Sequence, residues 1–102
     1  MSKYILSPNA IRSLKVIEKY SLDNFGKIQT GVYLRELHEK MKLIAEKPKS
    51  GKLRNDIFNE WNCYSYFINS HTIYYEIVSN DEINIIDVLH QSMEPQRHIL
   101  DV

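Results

Sequence analysis

The side chains in this chain best suited to acid–base chemistry are His71 and His90, with Arg54 as the accompanying cation. Cleaving a phosphodiester through its 2′-OH needs one group to take a proton, one to protonate the leaving oxygen and cations to hold the phosphorane. The supply of cations is thin. The strand-rich half offers only Lys52, Arg54 and Arg97, while Glu76 and Asp87 interrupt its apolar runs. Two acids beside a scissile phosphate would oppose it by roughly a few kcal/mol at low effective dielectric. The residues therefore assign no catalytic set; Arg54, His71 and His90 are the candidates if the chain is a nuclease. His71, His90 and His98 lie far apart in sequence, with no cysteine or acid at ligand spacing, so neither a metal nor a cofactor is expected. Cys63 has no basic neighbour in sequence to favour its thiolate, and three glycines cannot build a phosphate-cradling loop.

Charge is distributed unevenly. From Met1 to Arg54 there are twelve Lys or Arg against five Asp or Glu, a balance of +7; from Asn55 onward Arg97 faces eight acids, a balance of −7. The net charge is zero, so composition alone does not make a nucleic-acid binder. Arg12, Lys15, Lys19, Lys27, Arg35 and Lys42 could form a basic face for an acidic partner or simply be solvated among glutamates.

The elements that must carry these residues are legible in outline. At 102 residues the chain is read as one domain, residues 1–102. Its single cysteine suits a reducing cytoplasm, and no run approaches the roughly 20 apolar residues of a membrane span. Lys3 to Leu6 reads as a short strand. Ser7-Pro8 supplies a helix cap and an N1 proline, followed by a stripe of Ala10, Ile11, Leu14, Ile17 and Tyr20. Asp23 to Gly26 breaks the helix. A second helix from Lys27 to Glu46 puts Tyr33, Leu34, Leu37, Met41, Ile44 and Ala45 on one face. Ile28, Val32 and Leu43 make an opposite strip, expected to pack on the first helix. Pro48 and Gly51 lead into a candidate strand, Lys52 to Ile57. Tyr64 to Val78 and Ile83 to Leu89 complete the sheet, with turns at Asn69-Ser70 and Ser79 to Asp81.

Simple alternation places Phe67, His71, Ile73, Tyr75 and Ile77 on one sheet face and Tyr66, Ile68, Tyr74 and Val78 on the other. The fold class is α+β: a short N-terminal strand, then an antiparallel helical hairpin on a three- to four-stranded antiparallel sheet.

The stretch from His71 to His98, HTIYYEIVSNDEINIIDVLHQSMEPQRH, resembles the C-terminal half of the ParE branch of the RelE/ParE toxins of bacterial type II toxin–antitoxin pairs. Phe25-Gly26 with Gln29, Tyr33 and Leu37 resembles that family's second helix, and Pro48 and Gly51 its exit into the sheet. The resemblance implies a toxin that binds DNA gyrase, blocks it after DNA cleavage and is neutralised by a cognate antitoxin. It also implies an antitoxin segment, extended or helical, along the hairpin and sheet edge; an acidic one would suit the six basic residues above. Met93, Arg97 and His98 are the residues expected to meet the target. Nucleic acid would enter only indirectly, through an antitoxin complex or the ribosome. The chain departs from the family at three places where arginine is common: Tyr64, Glu76 and Asp87. These departures keep two other readings open: a ribosome-dependent mRNA endonuclease like the RelE branch, and a non-toxic member that only binds antitoxin.

Overall fold

The computed structural model describes residues 2–56 and 62–95. In chain order it contains β1 (Lys3–Leu6), a helical segment α1 (Pro8–Glu46), a 3-10 turn (Pro48–Ser50), β2 (Lys52–Leu53), β3 (Tyr64–Ile68), β4 (His71–Ser79) and β5 (Glu82–His90). Ile57, the expected end of the second strand, lies outside the described residues.

The helix begins where its capping chemistry dictates. Ser7 is extended, at φ −69° and ψ 162°; its Oγ accepts from the Ala10 N–H at 3.0 Å, and Pro8 follows with no N–H to lose. The same hydroxyl donates to the Ile86 carbonyl at 2.6 Å, so the cap also fastens the helix start to β5. Gly26, at φ 85° and ψ 176°, divides α1 into two arms, residues 8–25 and 27–46. Only glycine enters that region without strain. The Thr30 hydroxyl lies 2.8 Å from both Ser21 Oγ and the Gly26 carbonyl, which closes the corner and turns the second arm back along the first.

The sheet has five strands in the order β1-β5-β4-β3-β2. It is mixed, not purely antiparallel: β1 pairs in parallel with β5, from Lys3 opposite Glu82 to Leu6 opposite Ile85. Everything from the first arm to β4 lies between these two partners in sequence, which supplies the long connection that a parallel pair needs. Ile17, Leu37, Met41 and Ile44 from the arms bury against Ile73, Tyr75, Ile83, Ile85 and Val88 of the sheet. Each such aliphatic side chain contributes about 1.5–3 kcal/mol on burial.

Two expectations need correction. Ile28 is 86% exposed, and Val32 and Leu43 are also exposed, so that strip does not pack on the first arm. The arms lie side by side on one sheet, and the side opposite each sheet-facing stripe is left to solvent. The faces of β3 are also the reverse of those expected. Ile68 pairs with His71 and Tyr66 with Ile73, so Tyr64, Tyr66 and Ile68 share the hairpin face with Ile73 and Tyr75, while Phe67 points away and is exposed. A two-residue turn makes its flanking residues partners, and counting odd and even positions through Asn69-Ser70 breaks there.

A bulge does the same in β5. Tyr74 pairs with Asp87 but Tyr75 with Ile85, which leaves Ile86 extra. Past it, Val88 and His90 take over the hairpin face from Ile83 and Ile85. The opposite face carries a smaller buried cluster of Cys63, Tyr74, Ile86 and Leu89.

Candidate functional site

A groove of about 760 Å³ lies between the tip of the hairpin and one end of the sheet. The first arm contributes Arg12, Val16, Tyr20 and Phe25; the second contributes Gln29 and Tyr33. His71, His90 and Met93 close it from the sheet side. Val16, Tyr20 and Phe25 are each more than 60% exposed, so the first arm presents an open apolar wall to the groove. Tyr20 and Phe25 meet edge to face with ring centres 6.4 Å apart.

The polar floor of the groove is built by hydrogen bonds between elements distant in sequence. Tyr33 Oη lies 2.6 Å from His71 Nδ1. Burial raises the Tyr33 pKa above the usual phenol value. Burial, with the neighbouring His90, lowers that of His71 below the usual imidazole value. Across the sheet His71 is in register with His90, and their rings meet edge to face at 5.4 Å. His90 Nδ1 lies 2.8 Å from Ser92 Oγ, in the turn that carries Met93. Asn69, at φ 55°, and Ser70 complete the end wall; the Ser70 carbonyl accepts the Gln91 N–H at 2.9 Å.

The three nuclease candidates do not converge. His71 and His90 face the hairpin, whereas the Arg54 guanidinium sits on the other side of the sheet, 3.3 Å from Ser65 Oγ. It is held there by two bonds to Asp56, at 3.0 and 2.9 Å. That partnership raises the Arg54 pKa and lowers the Asp56 pKa to about 2. The three departures from family arginines have structural roles. Tyr64 stacks on Tyr75 at 5.6 Å, and Glu76 accepts from Asn84 Nδ2 at 3.1 Å. Asp87 is buried and accepts from Ser13 Oγ at 2.5 Å, tying the first arm to β5.

The six basic residues do not share one patch. Arg12 lies in the large groove; Lys15 lines a smaller one of about 330 Å³ between the arms and β1. Lys19 faces Asp23 at 3.9 Å, and Lys27, Arg35 and Lys42 are exposed around the corner and along the second arm. Of the expected target residues, Met93 lines the groove, while Arg97 and His98 lie outside the described residues. In the sequence Phe25, Gln29 and Tyr33 stand out as family matches, not as site residues. Their convergence with the histidines depends on the corner at Gly26, which a linear pattern does not display. Among the described residues no group of three or more His, Cys, Asp or Glu is placed to hold a metal, and no helix is long and apolar enough to cross a membrane.

Comparison with known proteins gives the fold its context. Residues 4–95 match the family described as the ParE toxin of the type II toxin–antitoxin system, parDE. Toxin ParE1 of Mycobacterium tuberculosis (strain CDC 1551 / Oshkosh) is 33% identical over 98 residues, covering 96% of this chain and 98% of the relative. Toxin ParE1 of Caulobacter vibrioides is 34% identical over 100 residues, covering 97% and 99%. A chain of the solved structure of the chromosomal ParDE TA system from P. aeruginosa superposes with a TM-score of 0.72 at 13% identity, covering 88% of this chain and 96% of that one. With a family match over residues 4–95 and relatives one-third identical over nearly the whole chain, the chain belongs to the ParE toxin family of type II toxin–antitoxin systems.

Proposed function

We propose that this protein inhibits DNA gyrase by binding it, and that a cognate antitoxin neutralises it by lodging in the groove between hairpin and sheet. The observation that carries the antitoxin half is the groove itself: about 760 Å³, with an exposed wall of Val16, Tyr20 and Phe25. An amphipathic segment would bury these residues, with apolar anchors giving most of the affinity. Met93 lies in the same groove, so a segment seated there would cover one of the three residues, with Arg97 and His98, that we assign to target contact. The gyrase half rests on the resemblance to the ParE branch. It is supported by the separation of Arg54 from His71 and His90, which favours binding over catalysis.

The deciding experiment is induction without antitoxin, with DNA and protein synthesis followed by pulse labelling over the first minutes. Early loss of DNA synthesis with translation intact is expected. Early loss of translation would overturn the gyrase reading, and harmless accumulation of folded protein would identify a non-toxic antitoxin binder.

One observation favours the nuclease as a second reading. Tyr33, His71 and His90 place three proton-transfer groups together on the groove wall, with Arg12 in the same groove. If translation stops first, His71→Ala and His90→Ala should abolish toxicity, and Arg54→Ala should not unless its face also contacts RNA.

A further inference from the structure

The first arm carries a second line of residues, outside the large groove. Ile11, Lys15, Glu18 and Leu22 are spaced four, three and four apart, the alternation of a coiled-coil seam. At 3.6 residues per turn they fall within about 60° of one another around the helix. All four are exposed, Ile11 at 42% and Leu22 at 44%. We propose that this line is a self-association surface, on which the first arm of a second copy of this chain docks antiparallel to form a two-fold dimer.

The order of the four residues specifies that partner. Read in either direction the line is apolar, charged, charged, apolar, with one cation and one anion at its centre. Take an antiparallel pair whose two-fold axis passes between Lys15 and Glu18. Each Ile11 then meets Leu22 of the other copy, and each Lys15 meets Glu18 of the other copy. A two-fold contact repeats every such pair, so two apolar contacts flank two ion pairs. A parallel pair would set Lys15 against Lys15 and Glu18 against Glu18, and like charges in register repel. Neither Lys15 nor Glu18 is held in an ion pair among the described residues. A partner of a single charge sign would satisfy one of the two and oppose the other.

The surroundings leave room for the second helix. Ile11, Lys15 and Glu18 form one wall of the cleft of about 330 Å³ between the arms and β1, and Leu34, Leu37 and Met41 line the same cleft. A docked arm would close the mouth of that cleft and shield Ile11, Leu22 and the half-buried Leu34 from water. Val16 and Tyr20 lie on the other side of the arm, so the dimer leaves the large groove open on each copy. One helix on another over about three turns is a small interface. The dimer is therefore weak and reversible, forming at roughly tens to hundreds of micromolar.

The test is sedimentation equilibrium of the untagged full-length chain across that range, beside variants at exposed positions. Lys15→Glu sets carboxylate against carboxylate at both contacts and should weaken self-association at least tenfold. Glu18→Lys should do the same by setting ammonium against ammonium. Mixed in equal amounts, these two variants should associate with each other about as tightly as the native chain with itself, because every contact between copies then joins opposite charges. Lys19→Glu makes the same change of net charge beside the seam and should leave association unchanged. Circular dichroism should be the same for all. A native chain that stays monomeric to about 1 mM would overturn the proposal. So would a mixture that associates no more tightly than its separate components, or equal losses in Lys15→Glu and Lys19→Glu. Association abolished by Tyr20→Ser and untouched by Lys15→Glu would place the contact in the large groove and overturn it as well.

Discussion

Gly51 and Tyr75 occupy one site between them. The tyrosine hydroxyl accepts the Gly51 N–H at 3.0 Å and donates to the Pro48 carbonyl at 2.7 Å. A β-carbon on Gly51 would overlap that hydroxyl and lie 2.7 Å from the Ser65 carbonyl oxygen. The turn leaving the helices is thereby clamped to the middle of the sheet. Tyr75→Phe leaves a buried carbonyl and an N–H without their partner and should cost about 1–3 kcal/mol. Gly51→Ala should cost at least as much, since both obstructing atoms belong to rigid surroundings. In the double variant the nearest obstruction is gone, so the combined loss should be smaller than the sum of the two. Denaturant midpoints of the three variants measure this; strict additivity would show that the clamp is not shared.

Two other glycines should respond in opposite directions to the same change. Gly26 sits at φ 85°, and a β-carbon there would meet nothing within 4 Å, so only the backbone objects to a side chain. Gly26→Ala should destabilise by about 1–3 kcal/mol, the usual cost of holding a non-glycine residue in such a region. Gly31 lies exposed in the second arm, also with nothing within 4 Å and with no unusual φ. Gly31→Ala should stabilise by about 0.5–1 kcal/mol through helix propensity. Thermal unfolding of both variants is the check, and equal shifts of one sign would contradict it.

What the sequence displays and what it conceals follow one physical divide. Ser7-Pro8 and Gly26 act through their own backbone and near neighbours, so the helix start and the corner are legible. The partnership of β1 with β5 spans most of the chain and leaves no local mark in Lys3 to Leu6. The extra residue at Ile86 is equally silent, yet it brings His90 onto the face of His71. The groove inherits this. Its apolar members are visible as helix-stripe or family-match residues, but whether Tyr20 and Phe25 are covered depends on how far the sheet extends beneath them.

Alkaline pH should test two buried weak acids, Tyr75 and Cys63. Burial raises Tyr75 from an ordinary 10.0 to about 12, and Cys63 from 9.0 to about 12. A raised pKa means that the folded state holds the proton more tightly than the unfolded one. The stabilisation is therefore complete below pH 9–10 and is lost as pH rises through 12. For Tyr75 the loss is on the order of 3 kcal/mol. Stability should be flat with respect to these groups at neutral pH and fall steeply above about pH 10, and Tyr75→Phe should flatten part of that fall. Cys63 should resist thiol reagents at about pH 8 until the protein is unfolded. Rapid labelling of the native protein would mean that Cys63 is reached without unfolding.

If an acidic antitoxin segment fills the groove, the first arm's cations should govern its approach. Arg12 lies in the large groove and Lys15 in the smaller one beside it, whereas Lys19 already faces Asp23. Exposed charges act over roughly 10 Å at 0.1 M salt and 3 Å at 1 M, so their influence on association should fade as salt rises. Arg12→Glu with Lys15→Glu should weaken antitoxin binding about tenfold at low ionic strength and only a few-fold at high, mainly through slower association. Lys19→Glu should matter less, because its charge is partly balanced already. Reversal at Lys27, Arg35 and Lys42, outside the two grooves, should have the smallest effect. Affinity of the Arg12/Lys15 variant that stays unchanged at every ionic strength would mean that these residues are merely solvated, and that the apolar wall of Val16, Tyr20 and Phe25 acts alone.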